Sequence, residues 1–407
     1  MSVDRIADEV LAAIRDRGTY RRLRVLEGAQ APRMQVDGRD VLLFAGSNYL
    51  DLAHHDGVVE ASVRASREYG CAAAGSRLIN GTTILHQALE SELADFFGRE
   101  AALTFNTGYM ANVGVIPALV GEGDLLVSDA LNHASIIDGG RLARAEVRVF
   151  AHGDLDALEA LLAQSGAPDR RVLLVVDGLF SMDGDLAPVA EMAALAHRHG
   201  AIMMLDDAHG TGTLGARGRG SAEHLGALAE VDILMGTLGK SLGSFGAFVA
   251  GSAKLRDLLI NTARSFIFSC ALAPPQAAAA RAALALVDAE PWRRFALQQR
   301  AARLRERLAQ HGLSTSPSCS HIVPVVIGDN ATTMEICEAL LERGFYAQGI
   351  RHPSVPIGSA RLRITPMATH AESEIDALAD AIAEQTAKYA PETIVARREG
   401  GAGTGRP

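Results

Sequence analysis

The sequence predicts an α/β fold, with a large doubly wound, mostly parallel sheet domain followed by a smaller C-terminal α+β domain. Short apolar runs at 101–105, 124–128, 147–150, 172–177, 201–206, 231–236 and 247–251 are continuous rather than alternating. Helical stretches separate them, the pattern of parallel strands covered on both faces. The length of 407 residues, 48% of them hydrophobic, allows one large core and a second smaller one. Ala273-Pro274-Pro275 then interrupts the alternation, and a different pattern follows.

The elements follow in chain order. Residues 3–26 space their apolar positions as a helix, and 41–44 form a short strand running into Ala45-Gly46-Ser47-Asn48-Tyr49, so 1–50 read as an N-terminal arm. In 83–97, Ile84, Leu85, Ala88, Leu89, Leu93 and Phe96 recur at three and four, and Gly98 stops the helix. The large domain spans 51–290. An alanine- and arginine-rich helical stretch, 276–310, leads to the small domain, 291–395, built from segments 322–327, 334–343 and 360–364 and a helix at 371–389. The glycine-rich end, 396–407, lacks apolar periodicity and is expected to be disordered.

Composition excludes several classes of function. A net charge of −9 and the absence of any basic block interleaved with aromatics argue against a nucleic-acid partner. Cys71, Cys270, Cys319 and Cys337 lie far apart without metal-ligand spacing, so neither disulfides nor a metal site is expected, which suits a reducing cytoplasm. Asp4, Asp8 and Glu9 stand where an export signal carries basic residues, and no run approaches the ~20 apolar residues of a membrane span. Membrane insertion is not expected.

Two motifs mislead. Gly210-Thr211-Gly212-Thr213-Leu214-Gly215 matches a dinucleotide fingerprint, but Ala216-Arg217-Gly218-Arg219-Gly220 follows it where a helix should open. Gly239-Lys240-Ser241 mimics the end of a phosphate loop, yet Leu234 stands where that loop needs its first glycine.

Lys240 is notable for another reason: among 39 basic residues only Lys240, Lys254 and Lys388 are lysines. A lone lysine at a strand end usually snorkels to water. In a chain that otherwise uses arginine, however, a lysine after an apolar run offers what arginine lacks, an amine that can lose its proton and form an imine. If that imine holds pyridoxal phosphate, three further groups are needed, and each has a candidate. Asp206, ending the 201–206 run, supplies a carboxylate for the pyridine nitrogen, although an aspartate there also caps turns. His209 is near enough to reach the ring's phenolic oxygen. Thr107-Gly108-Tyr109 precedes the apolar stretch 110–120, placing free backbone N–H groups at a helix start for the phosphate, and Thr237 adds a hydroxyl. His133 provides a flat imidazole and Ser181 a hydroxyl. All follow C-terminal strand ends, where open α/β sheets bind ligands.

At this point the chain resembles the α-oxoamine synthases among fold-type I pyridoxal phosphate-dependent transferases. The resemblance rests on Asp206-Asp207-Ala208-His209-Gly210-Thr211-Gly212, Thr237-Leu238-Gly239-Lys240, Asn132-His133-Ala134-Ser135 and Ser181-Met182-Asp183-Gly184-Asp185. Two further stretches, 75–83 and 355–364, appear in the same order. It implies decarboxylative condensation of a small amino acid, L-alanine favoured, with an acyl thioester such as a pimeloyl thioester of coenzyme A or acyl carrier protein. It also implies that Lys240 carries the cofactor and shuttles the Cα proton, Asp206 pairs with the ring nitrogen, His133 stacks on the ring, and His209 and Ser181 touch cofactor or adduct. Arg363, with Arg361 as its alternate, matches the arginine that grips the amino acid carboxylate, and Asn48 matches a position lining the site. Ser269 matches a hydroxyl reaching a neighbouring subunit's phosphate, which implies a homodimer. Asp51 and Cys270 depart from the usual glycine and small hydroxyl residue, which leaves the acyl chain open. Glycine- and serine-using branches, aminotransfer and a non-catalytic homologue remain the alternatives.

Overall fold

The computed structural model describes residues 2–164 and 169–394; the tail expected to be disordered, 396–407, lies outside the described residues. The chain divides into two compact units, one comprising Met1–Gly46, Met182–Gly184 and Gln298–Pro407, the other Ser47–Ser181 and Asp185–Leu297.

In the first unit, β1 (Leu26–Glu27), β2 (Arg33–Val36) and β3 (Arg39–Leu43) pair antiparallel. Asp37-Gly38, both at positive φ (50° and 74°), make the two-residue turn whose twist suits a hairpin between β2 and β3. The leading helix is shorter than its apolar spacing predicts. It spans Val3–Asp16 and stops before Gly18 at φ 64°, where a left-handed residue ends the helical ladder.

The second unit holds a seven-stranded sheet of β4 (Ala101–Phe105), β5 (Leu125–Asp129), β6 (Glu146–Phe150), β7 (Val172–Asp177), β8 (Ile202–Asp206), β9 (Ile233–Thr237) and β10 (Ala247–Gly251), in the order β4-β10-β9-β8-β7-β5-β6. β5 through β9 run parallel, while β10 is antiparallel to both β4 and β9. The connection from Thr237 to Ala247 is too short for the crossover a parallel pair needs, which reverses β10. β5, β7, β9 and β10 are buried along their whole lengths and β8 is buried from Met203 onward, in keeping with their unbroken apolar runs. Chain progression reverses beside β5, with β6 on one side and β7 to β9 on the other, so the loops after β5 and β7 diverge and open a crevice.

The remaining strands, β11 (Val323–Gly328), β12 (Phe345–Tyr346), β13 (Gln348–Ile350) and β14 (Ala360–Ile364), belong to the first unit. β11, β14 and β13 form an antiparallel sheet, and β12 pairs parallel with β3. That pairing, with Leu42 and Phe44 in one core with Leu304, Leu340, Leu362 and Ile382, joins the first 46 residues to the C-terminal segment rather than leaving them as a separate arm. The single helical stretch predicted over 276–310 is two helices, Pro274–Ala289 and Trp292–Gln310, because Pro291 cannot donate to a continuing helix. All four cysteines are free thiols, and among the described residues no helix is long and apolar enough to cross a membrane.

Candidate active site

Strand ends of the second unit surround a cavity of about 210 Å³. Of the residues singled out by sequence, Gly108, Tyr109, His133, Ser181, Asp206, His209, Thr237 and Lys240 all line it. A larger groove, about 790 Å³, lies beside the helices Asp56–Tyr69 and Pro274–Ala289, but its charged groups include the pairs Arg281–Glu92 and Arg217–Asp288. Chemistry, not size, distinguishes the smaller cavity.

Asp206 ends β8 and is 4% exposed. Its Oδ2 accepts from Asn112 Nδ2 at 2.7 Å and its Oδ1 from the Ala208 amide at 3.1 Å, which together fix the orientation of the carboxyl group. Beside it in register, Asp177 ends β7 and also lines the cavity. Burial, then the neighbouring charge of Asp206, pushes the Asp177 carboxyl well above the usual carboxylate range. Asp177 Oδ2 accepts from the His133 amide at 2.8 Å, while Asn132 accepts from the Asp177 amide at 2.9 Å and donates to Val175 O at 2.7 Å. These bonds fasten the His133 loop to β7.

His133 caps the helix Ala134–Ala143, its Nδ1 lying 2.7 Å from Ser135 Oγ. Burial lowers its pKa, which favours the neutral imidazole. The Lys240 amine lies 2.8 Å from His209 Nε2, and His209 Nδ1 lies 2.8 Å from the hydroxyl of the buried Tyr49, making a chain of three polar groups. Thr237 Oγ1 donates to Gly246 O and accepts from the Gly239 amide, which shapes the turn that presents Lys240.

The helix Gly108–Leu119 begins at the cavity. Thr107 caps it, accepting from the Met110 amide at 3.1 Å, and the amides of its first turn have no acceptor within the helix. A Cβ on Gly108 would stand 3.3 Å from Met235 Cε, so glycine keeps this end of the cavity open. The Tyr109 hydroxyl donates to Asp138 at 2.7 Å.

The loop carrying His209 is built around Asp207, which is fully buried and accepts from the Ser221 amide at 2.6 Å. Cβ atoms added at Gly210 or Gly220 would come within 2.1 Å and 1.8 Å of its carboxylate, so these glycines are required by close approach. Burial raises the Asp207 carboxyl to about 7. The GxGxxG decoy at 210–215 lies in this loop, wrapped on a carboxyl rather than opening a nucleotide-binding helix.

Three expected residues are engaged outside the cavity lining. Asn48 accepts from the amides of Leu52 and Ala53 and donates to Asp51, organising a turn in which Asp51 sits at φ 58°, the left-handed conformation that explains glycine at that position in the resembling family. Ser269 accepts from Asn106 and donates to Cys270 O. Arg361, on β14 of the first unit, is 5% exposed, pairs with Asp183 and donates to Ser359 O. Arg363 lies two residues along the same strand. Sequence reasoning missed Asp177, Asn112, Ser135 and Tyr49. Asp177 ends its strand in the same register as Asp206, and Asn112 is a polar residue inside an otherwise apolar helical stretch, so both carried a signal.

The donor set fits pyridoxal phosphate: an amine for its aldehyde, a doubly hydrogen-bonded carboxylate for its ring nitrogen, a neutral imidazole for its face and a helix start for its phosphate. Comparison with known proteins agrees. The model of the aminotransferase class I and II family matches residues 39–382. An 8-amino-7-oxononanoate synthase from Geobacter sulfurreducens is 52% identical over 375 residues, covering 92% of this chain and 96% of that protein. One from Cellvibrio japonicus is 47% identical, with 93% and 96% covered. Among solved structures, a serine palmitoyltransferase from Sphingomonas wittichii superposes with a TM-score of 0.89 at 32% identity, covering 95% of this chain and 97% of that one. An 8-amino-7-oxononanoate synthase from Francisella tularensis gives 0.74 at 26% identity, with 86% and 98% covered. The chain therefore belongs to the aminotransferase class I and II family and, within it, to the α-oxoamine synthases, pyridoxal phosphate-dependent acyltransferases of fold type I.

Proposed function

We propose that this enzyme condenses L-alanine with a pimeloyl thioester, releasing carbon dioxide and the free thiol carrier, as a homodimer in the cytoplasm. The observation that carries the reading is one small cavity containing both the Lys240 amine and the buried Asp206 carboxylate, in a chain 52% identical to an 8-amino-7-oxononanoate synthase.

Pyridoxal phosphate, when bound, supplies an aldehyde that captures amines and a ring that withdraws electrons from the substrate's Cα. The residues do the rest. Lys240 Nζ anchors the aldehyde carbon and moves the Cα proton, with His209 Nε2 at 2.8 Å as its neighbour in that transfer. Tyr49 fixes the orientation of the His209 ring from the other side. Asp206, held by Asn112 and the Ala208 amide, would pair with the ring nitrogen and favour its protonated form. His133 would cover the ring face and exclude water, and the Gly108 and Tyr109 amides would hold the phosphate, joined by the Thr237 hydroxyl on turning from Gly246 O. Ser181 contacts cofactor or substrate. Arg363, with Arg361 as its alternate, would bind the amino acid carboxylate.

Single-turnover release of carbon dioxide from L-alanine, glycine and L-serine, each with coenzyme A and carrier-protein thioesters of several lengths, tests the proposal. Release fastest with L-alanine and a pimeloyl thioester is expected. Transfer of the amino group to an oxo acid without carbon dioxide would overturn it in favour of aminotransfer.

A further inference from the structure

We infer that His152 is a positioning residue whose imidazolium ties together the two loops that bring His133 and Ser181 to the cavity. The inference rests on the reading that this cavity holds pyridoxal phosphate.

His152 follows β6. Its Nδ1 lies 3.0 and 3.2 Å from the two carboxylate oxygens of Asp129, the last residue of β5, and its Nε2 lies 2.8 Å from Asp185 Oδ2, in the loop after β7. A neutral imidazole has one N–H and one lone pair, so it can satisfy a carboxylate at only one nitrogen. With a carboxylate group at each, a ring carrying two protons satisfies both. Asp129 and Asp185 are the charged groups that face it, and Phe180 meets its ring edge-on at 4.3 Å. In keeping with this geometry, its hydrogen bonds to the two carboxylates raise its pKa to about 10.

Both carboxylates also shape active-site loops. Asp129, 2% exposed, accepts from the amides of Leu131 at 2.8 Å and Gly153 at 3.0 Å, and Leu131 leads directly into Asn132-His133. The Asp185 carbonyl accepts from the Phe180 amide at 3.0 Å, closing the turn whose next residue is Ser181. One cation thus bridges two largely buried acids on adjacent loops, and losing it leaves Asp129 as an uncompensated buried charge beneath the His133 loop. The Tyr49–His209–Lys240 chain reaches the cavity from other elements and is not touched by this clamp.

His152→Gln retains a donor and a similar length but cannot neutralise both acids. In the cofactor-free protein, peptide-resolved hydrogen exchange over 131–133 and 180–185 should quicken at least tenfold. In the loaded enzyme kcat should fall on the order of ten- to hundredfold, as for catalytic groups displaced by a fraction of an ångström, with a smaller change in KM and an altered visible spectrum of the bound cofactor. Adding Asp129→Asn to that variant removes the orphaned charge and should recover most of kcat. Should His152→Gln not fold, Asp185→Asn should show the same loss with faster exchange confined to 180–185. Wild-type kcat, spectrum and exchange in a folded His152→Gln or Asp185→Asn variant overturn the inference, as does a lower melting temperature alone. If the wild-type protein binds no pyridoxal phosphate, the cofactor reading fails instead, and exchange in the cofactor-free variants still decides this one.

Discussion

Replacing Asp207 with asparagine should change how stability depends on pH, by an amount fixed by its burial. The carboxyl titrates near 3.8 when exposed and at about 7 in the fold, so ionising it costs roughly 4 kcal/mol more in the folded than in the unfolded chain. The group is fully buried, so solvent screening does not discount the figure. Because the folded-state value is raised, the contribution is complete below pH 3.8, falls as pH rises, and is lost once pH passes 7. Denaturant unfolding of wild type and Asp207→Asn at half-unit steps from pH 5 to 8.5 isolates the effect, since other titrating groups cancel in the difference. Wild-type stability minus variant stability should fall by about 1.4 kcal/mol per pH unit up to pH 7 and then level off. A difference that stays flat, or rises with pH, would refute the assignment of Asp207 as a protonated anchor of the His209 loop.

Asp177→Asn keeps an acceptor for the His133 amide and should cost less than about 1 kcal/mol of stability, whereas Asp177→Ala orphans that amide and should cost about 1–3 kcal/mol, read as the shift in unfolding midpoint. Tyr49→Phe removes the hydroxyl 2.8 Å from His209 and should lower kcat by roughly three- to tenfold, the worth of one net hydrogen bond, with the melting temperature nearly unchanged. Arg363→Ala should reduce kcat/KM for L-alanine by on the order of ten- to a hundredfold while leaving cofactor absorbance intact, measured by steady-state kinetics at saturating thioester.

The sheet was legible because β5, β7, β8 and β9 are buried on both faces, which forces unbroken apolar runs that no loop mimics. Lys240, Asp206, His133 and His209 were legible because strand-end residues in such a sheet converge on one edge, whatever the loops do. Other features depend on contacts that no local pattern records. The association of residues 1–46 with the C-terminal segment rests on β3 meeting β12, some 300 positions away in sequence. The apolar spacing of 3–26 continues past Gly18, but apolar spacing says nothing of the left-handed turn that ends the helix at Asp16. Asn112 acquires its role only when its helix crosses the end of β8, where one amide group serves both Asp206 and Ser135.

The three acids at the ends of β7 and β8 show how the site assigns charge. Asp177, Asp206 and Asp207 lie together in a buried setting where three negative charges would repel strongly. Burial drives Asp177 and Asp207 towards their neutral forms, and each then serves as an anchor, one for the His133 loop and one for the loop carrying His209. Asp206 and Asp177 both line the cavity shared with Lys240, but of the three only Asp206 receives the side-chain amide of Asn112. Neutralising Asp177 and Asp207 relieves the repulsion that three adjacent buried charges would otherwise bring to this edge of the sheet. Arginine elsewhere serves the same separation, because its permanent charge can pair with surface acids without supplying a competing amine.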